Sequence, residues 1–162
     1  LVLALFGGFI SVHVLGIFEP VMDLHPELFF FTPLIAAMAG NVGVQSSAII
    51  VQGLANNTII GPVVERLLKE LSLSLLNGVI LSIILLAGSY FLLGYEIHVG
   101  YTVSIALLSV IIMASLIGTF IPIILNKYGV DPALATGPFI TTSNDILGIL
   151  TYFTIAKIIL GI

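Results

Sequence analysis

Gly137, Thr141 and Asp145 are spaced four apart in a segment that stays apolar to about Ile162. In a helix, residues at i, i+4 and i+8 share one face. That face would carry a close-approach glycine, a hydroxyl and a carboxylate. Oxygen groups of this kind suit a hard cation. Asp145 stands roughly eight to ten residues inside the segment, about 12–15 Å at ~1.5 Å per residue. In a bilayer with a core of ~30 Å, that depth is near the midplane. A carboxylate there costs at least ~2.5 kcal/mol on insertion scales, and ionisable groups at that depth usually serve an ion or proton path.

A second polar set lies earlier, in Ala39-Gly40-Asn41-Val42-Gly43-Val44-Gln45-Ser46-Ser47. Asn41 and Gln45 are i, i+4, and Gln52 extends the same stripe. Polar groups in a membrane core need partners. Interhelical hydrogen bonds, at ~0.6 kcal/mol each, are one explanation. The density of polar residues, with glycines interleaved, favours a pore lining. Glu19, Asp23, His25 and Glu27 form an acidic loop, most simply a solvated turn and alternatively a mouth that concentrates cations. His13 reads as a structural hydrogen-bonding group. The three histidines are far apart in the chain, and no nucleophile–base pair forms at depth, so the expectation is not an enzyme.

The elements that must position these groups follow from composition. The chain has 162 residues, 59% hydrophobic and only 7% charged, against about 25% charged in a soluble domain. So few charges cannot coat a water-facing surface, and the lipid bilayer is the expected solvent. The apolar runs are too long for barrel strands, which alternate over ~10 residues. Four cations and a net charge of −4 exclude a phosphate-binding stripe, hence nucleic acid. There is no cysteine chemistry. The chain opens at Leu1 inside an apolar run, without Met, which reads as part of a longer protein.

The expected fold is an all-α integral membrane domain with five transmembrane helices. The spans are placed at 1–18, 26–54, 72–93, 99–126 and from Asp131-Pro132 to 162. A short amphipathic interfacial helix is placed at 62–71, after Gly61-Pro62. Ser74, Asn77, Gly78 and Ser82 give the third span a packing face. Pro122 is expected to kink the fourth. Asp131 is an N-cap candidate with Pro132 at the first helical position, and Pro138 is expected to break or bend the last span.

These motifs resemble a known family. Gly40-Asn41-Val42-Gly43-Val44-Gln45 is similar to its G-N-x-G-x-Q signature. Asp131-Pro132-Ala133 followed by Gly137-Pro138-Phe139-Ile140-Thr141-Thr142-Ser143-Asn144-Asp145 is similar to its signature before the last helix, and Phe18-Glu19 also fits. The family is that of the MgtE magnesium channels, related to a group of solute-carrier transporters. The resemblance covers residues 1–162 as the family's membrane domain; the cytoplasmic regulatory domains that usually precede it are not in this sequence. It implies a homodimer with a pore on its axis, where Asp145 from both subunits holds a hydrated Mg²⁺. It also implies roles for the Thr141 carbonyl, for Gly137 and for a pore-facing Asn41. Relatives can carry Asn at the Gly137 position, so a side-chain ligand is lost there. The implied activity is passive passage of Mg²⁺ into the cytoplasm, with Mn²⁺, Co²⁺ and Ca²⁺ as other ions for the same site. The competing activity is a carrier coupled to H⁺ or Na⁺.

Orientation follows from the cations. Arg66 and Lys69 lie between spans two and three, and Lys127 lies between four and five. With five spans these loops share one side, which is cytoplasmic by the positive-inside rule. The N-terminus is then cytoplasmic, the C-terminus outside, and the location a cell (inner) membrane. Single cysteines at Asn57 and His98 should therefore react with an impermeant thiol reagent from opposite faces of sealed vesicles; labelling from one face would contradict the arrangement.

Overall fold

In lipid the backbone finds no water to bond, so apolar runs this long satisfy their own N–H and C=O groups by folding as helices. The computed structural model describes residues 2–59, 61–135 and 137–161, apart from the side chains of Leu3 and Ala135. Leu1 and Ile162, the outer ends of the first and last expected spans, lie outside these residues. The helices are α1 (Val2–Ile17), α2 (Glu19–Leu24), α3 (Glu27–Ala55), α4 (Val63–Phe91), α5 (Ile97–Lys127) and α6 (Pro138–Leu160). A 3₁₀ turn, Pro132–Ala135, precedes α6. No strand occurs among the described residues.

Helices α3 to α6 are each long and apolar enough to cross a membrane, at 29, 29, 31 and 23 residues. Helix α1 has 16 residues, a rise of ~24 Å, short of a ~30 Å core. The interfacial helix expected at 62–71 is not a separate element. It is the first part of α4, which continues through Leu71-Ser72 without a break. No Gly or Pro stands between Val63 and Asn77, so nothing ends the helix where the amphipathic pattern gives way to the apolar one. The acidic loop is also partly helical. Glu19-Pro20 ends α1, but Pro20 in a first turn starts α2.

Helix α5 is the centre of the bundle. It packs against α3, α4 and α6; α3 and α6 pack on each other, and α1 lies on α6. Helix α4 leans chiefly on α5, which leaves a cleft between α4 and α3. The core gathers Leu28, Phe31, Ile35 and Ala39 of α3, Val103, Val110, Ile111 and Ala114 of α5, and Ile149, Tyr152 and Phe153 of α6. Phe18 stacks on Phe153 with ring centroids 5.3 Å apart. The buried Tyr152 hydroxyl donates to the Leu28 carbonyl at 2.9 Å, so its polar end is satisfied inside the core.

Small residues set the helix spacing. Ser74, Gly78 and Ser82 are buried as expected, and Ser82 donates to the Ser104 carbonyl at 2.8 Å. Asn77, expected with them, is exposed, because it is one residue, about 100°, away from Gly78. Where α5 meets α3, a Cβ on Gly118 would strike the Gly43 carbonyl oxygen. That neighbour is backbone and cannot rotate away. We expect Gly118→Ala to lower stability by ~1–3 kcal/mol, the range for an overpacked core. Gly8→Ala, which has open space around it, should change little. Thermal unfolding in detergent or nanodiscs reads the difference; equal midpoints for both variants would contradict the close α3–α5 contact.

Candidate cation site

The turn into α6 builds the site. Asp131 accepts the Ala133 amide on its side chain at 2.9 Å, which caps the 3₁₀ turn as expected. Gly137 then takes φ +66°, a conformation that L side chains rarely adopt. Pro138 follows as the first residue of α6, the break expected there. The Gly137 carbonyl accepts two bonds from Thr141, one from its amide at 3.1 Å and one from its hydroxyl at 3.1 Å. The Thr141 hydroxyl is thus engaged within its own helix.

Asp145 lies seven residues beyond Pro138, ~10 Å along α6. It is half-buried and about a third of the way along the helix, closer to the Pro138 end than the midplane depth expected from sequence. Gly40 of α3 lies beneath its carboxylate: a Cβ on Gly40 would come within 2.8 Å of Asp145 Oδ1. Gly137, Thr141 and Asp145 line one open cavity of ≈ 410 Å³, with Ala4, Gly7, Gly8 and Ser11 of α1 as its other wall. Thr142, also on this wall, seats against Gly7. Three of the residues singled out from sequence are therefore together.

Asn41 is not with them. It stands one residue from Gly40, about 100° around α3 at 3.6 residues per turn. It lines a second cavity of ≈ 460 Å³ between α3, α4 and α5, together with Gln45, Ser46, Glu70, Asn77 and Ser115. Sequence reasoning missed Glu70, which reads as the polar side of a surface helix. The available signal was its register: Arg66, Glu70, Ser74 and Asn77 fall on one face of a continuous α4. Asn144 was passed over too. It is fully buried, it fills the notch left by Gly43, and neither of its amide atoms has a partner among the described residues.

Among the described residues no group of three or more His, Asp or Glu side chains converges on a point. The chemistry of the α6 cavity is therefore that of one carboxylate with neutral oxygens around it. That set cannot strip and enclose a divalent ion, but it can hold one through retained water, as Mg²⁺ sites commonly do. A bundle of long apolar helices with a half-buried carboxylate on a cleft between two of them defines an integral membrane protein.

Comparison with known proteins gives the family. Residues 32–155 match the family model MgtE, described as a divalent cation transporter. The chain is 39% identical over 157 residues to the magnesium transporter MgtE of Bacillus subtilis, covering 96% of this chain and 35% of that protein. It is 32% identical over 161 residues to the magnesium transporter MgtE of Thermus thermophilus, covering 99% and 35%. For that of Enterococcus faecalis the identity is 34% over 160 residues, covering 97% and 35%. The chain belongs to the MgtE family. It spans about a third of the length of these relatives, which are named transporters and not enzymes.

The Gly40 contact is testable. A methyl group there would press chiefly on the Asp145 carboxylate, with Thr141 Cγ2 3.3 Å away. Both are side-chain ends, so Gly40→Ala should fold and displace the carboxylate. Ligand that binds only the folded state raises its stability. We expect Mg²⁺ to raise the unfolding midpoint of Gly40→Ala less than that of wild type. An equal rise would show that the glycine leaves no necessary space for Asp145.

Proposed function

We propose that the chain is the membrane domain of a Mg²⁺-selective channel, passing Mg²⁺ down its electrochemical gradient into the cytoplasm, with Asp145 holding the hydrated ion. The observation that carries this reading is the Asp145 carboxylate, half-buried over Gly40 on the same cavity wall as Thr141 and Gly137. The names of the relatives supply the ion. A single carboxylate is weak for a divalent cation, and two facing each other across a homodimer axis make a stronger site. We therefore place the pore on that axis, with α1 counted as the fifth span and the Arg66, Lys69 and Lys127 ends cytoplasmic. Contact through water suits conduction, since an ion must also leave. Mn²⁺, Co²⁺ and Ca²⁺ are competitors for this site. One acid in the α6 cavity offers few partners for a proton relay, which favours a channel over a H⁺- or Na⁺-coupled carrier.

The family resemblance implies the roles within the site. It gives Thr141 a part through its backbone carbonyl, and the Thr141 hydroxyl proton is engaged by the Gly137 carbonyl. Gly137 contributes the turn that starts α6, and its carbonyl has its donors in Thr141. Asn41 contributes from the other side of α3 to the polar surface near the same level.

Mg²⁺ flux into proteoliposomes separates these roles. Asp145→Asn keeps size and hydrogen bonding but removes both charges of the pair, and should abolish flux. Asp145→Glu crowds the water shell and should weaken Mg²⁺ relative to Ca²⁺, which tolerates irregular geometry. Thr141→Ala should retain most of the flux. Normal flux in Asp145→Asn removes the central claim, and loss of flux in Thr141→Ala moves the hydroxyl into direct contact with the ion's water.

A further inference from the structure

The cavity between α3, α4 and α5 contains a carboxylate that the Asp145 site does not use. Glu70 Oε1 accepts hydrogen bonds from Ser46 Oγ at 2.7 Å and from Ser115 Oγ at 2.6 Å. The two hydroxyl oxygens are 3.2 Å apart. Ser46 is 5% and Ser115 1% exposed. Three helices thus aim buried oxygen groups at one point. Asn41, Gln45 and Asn77 add side-chain amides to the cavity, whose remaining wall is apolar, with Met38, Val42, Ile49 and Leu73 among its residues. Among the described residues Glu70 has no Lys, Arg or His within ion-pair distance, and the ion pair of that turn is the exposed Lys69–Glu65 contact.

Arg66 stands one turn before Glu70 on the same face of α4 but makes no ion pair with it. A partly buried carboxylate without a paired cation is expensive, and two hydroxyl donors offset that cost only in part. The cavity is large: ≈ 460 Å³, against ~30 Å³ per liquid water. An ion can therefore enter with its shell. Carboxylate, hydroxyl and amide oxygens are all hard donors. The serines can serve both states, since a hydroxyl donates to the carboxylate when no ion is present and turns its lone pairs outward when one arrives.

We propose that this cavity is a second divalent-cation site, anchored by Glu70 and completed by Ser46 and Ser115, that holds a hydrated Mg²⁺. That the ion is Mg²⁺ rests on the transport reading above; that a cation binds does not. The site lies on another face of α3 from Asp145, since Ser46 is about 120° around the helix from Gly40. Ser46 follows Gly40 by six residues, so Glu70 sits ~9 Å further along α3 toward its C-terminal end. The cavity extends back to Asn41, beside the level of Asp145. An ion held here would add positive charge one helix away from the Asp145 site.

Mn²⁺ is the probe, followed by electron paramagnetic resonance on the chain in nanodiscs, with Mg²⁺ as competitor. Asp145→Asn should retain Mn²⁺ binding that Mg²⁺ displaces. Adding Glu70→Gln to that variant should remove it, while Glu70→Asp, which keeps the charge, should retain it with weaker affinity. If Asp145→Asn alone binds no Mn²⁺, or if Glu70→Gln in that background leaves binding unchanged, the second site does not exist. Loss of binding in Glu70→Asp together with Glu70→Gln would likewise overturn it, since charge would then not be the cause. Flux through Asp145→Asn tests the Asp145 reading separately, so either can fail without the other.

Discussion

Two neighbouring residues of α6 depend on two glycines of α3. Asp145 lies over Gly40, and Asn144 fills the notch at Gly43. Gly40 and Gly43 are one turn apart on the same face, so they form a continuous strip of bare backbone. Consecutive residues on α6 diverge by about 100°. Asn144 therefore turns into the core while Asp145 turns toward the cavity. A rotation of α6 in one sense would drive the carboxylate into the α3 backbone. In the other it would pull the fully buried Asn144 out of its notch. The orientation of the charge is set by shape, with no side-chain hydrogen bond to Asp145 needed to hold it.

The same economy governs the bundle. Lipid is as apolar as Leu, so helices gain little from hiding apolar surface and associate by close packing and hydrogen bonds. Helix α5 supplies most of that packing. It meets α3 at the Gly118–Gly43 contact and α4 at Gly78, where an added Cβ would lie 2.6 Å from Leu108 Cδ1. Cavities form where such packing is missing. One opens between α1 and α6, whose facing walls are glycine and small hydroxyl residues. The other opens between α3 and α4, which share only α5 as a common neighbour. Asn41, Gln45, Glu70 and Asn77 lie on the second gap and Asp145 on the first.

Much of this was legible in the sequence because it depends on local rules. The long apolar runs, the turn at Asp131-Pro132, the break at Pro138 and the shared face of Gly137, Thr141 and Asp145 all follow from helix period and capping. The packing face of Ser74, Gly78 and Ser82 follows from residue size. What failed needed knowledge of neighbours. The amphipathic pattern of Val63 to Leu71 looked like a separate surface helix, because its charges were assigned to water. Glu70 instead finds two serines from other helices, 24 and 45 positions away in sequence. Asn41 and Gly40 belong to one motif, yet the ~100° between consecutive residues sends them to different faces of α3. Periodicity states which residues share a face, but not which neighbour that face meets.

The two carboxylates occupy different electrostatic settings, and this decides what each can do with an ion. Glu70 has one oxygen met by two hydroxyl donors, so the protein itself supplies part of the field a cation would supply. Asp145 has no such donors among the described residues, and its charge is left to water or to an ion. On the transport reading, the weakly supported carboxylate is the one that must exchange ions quickly. The supported one can hold an ion without a large change in structure. Mg²⁺ sheds water reluctantly and takes few protein ligands. Cavities of ≈ 410 Å³ and ≈ 460 Å³ are many times the ~30 Å³ of a water molecule. Neither requires dehydration. Discrimination at such sites would then act on the size and rigidity of the hydrated ion, read by hydrogen bonds from its waters to fixed oxygens, and the glycine contacts that fix those oxygens become part of the selectivity.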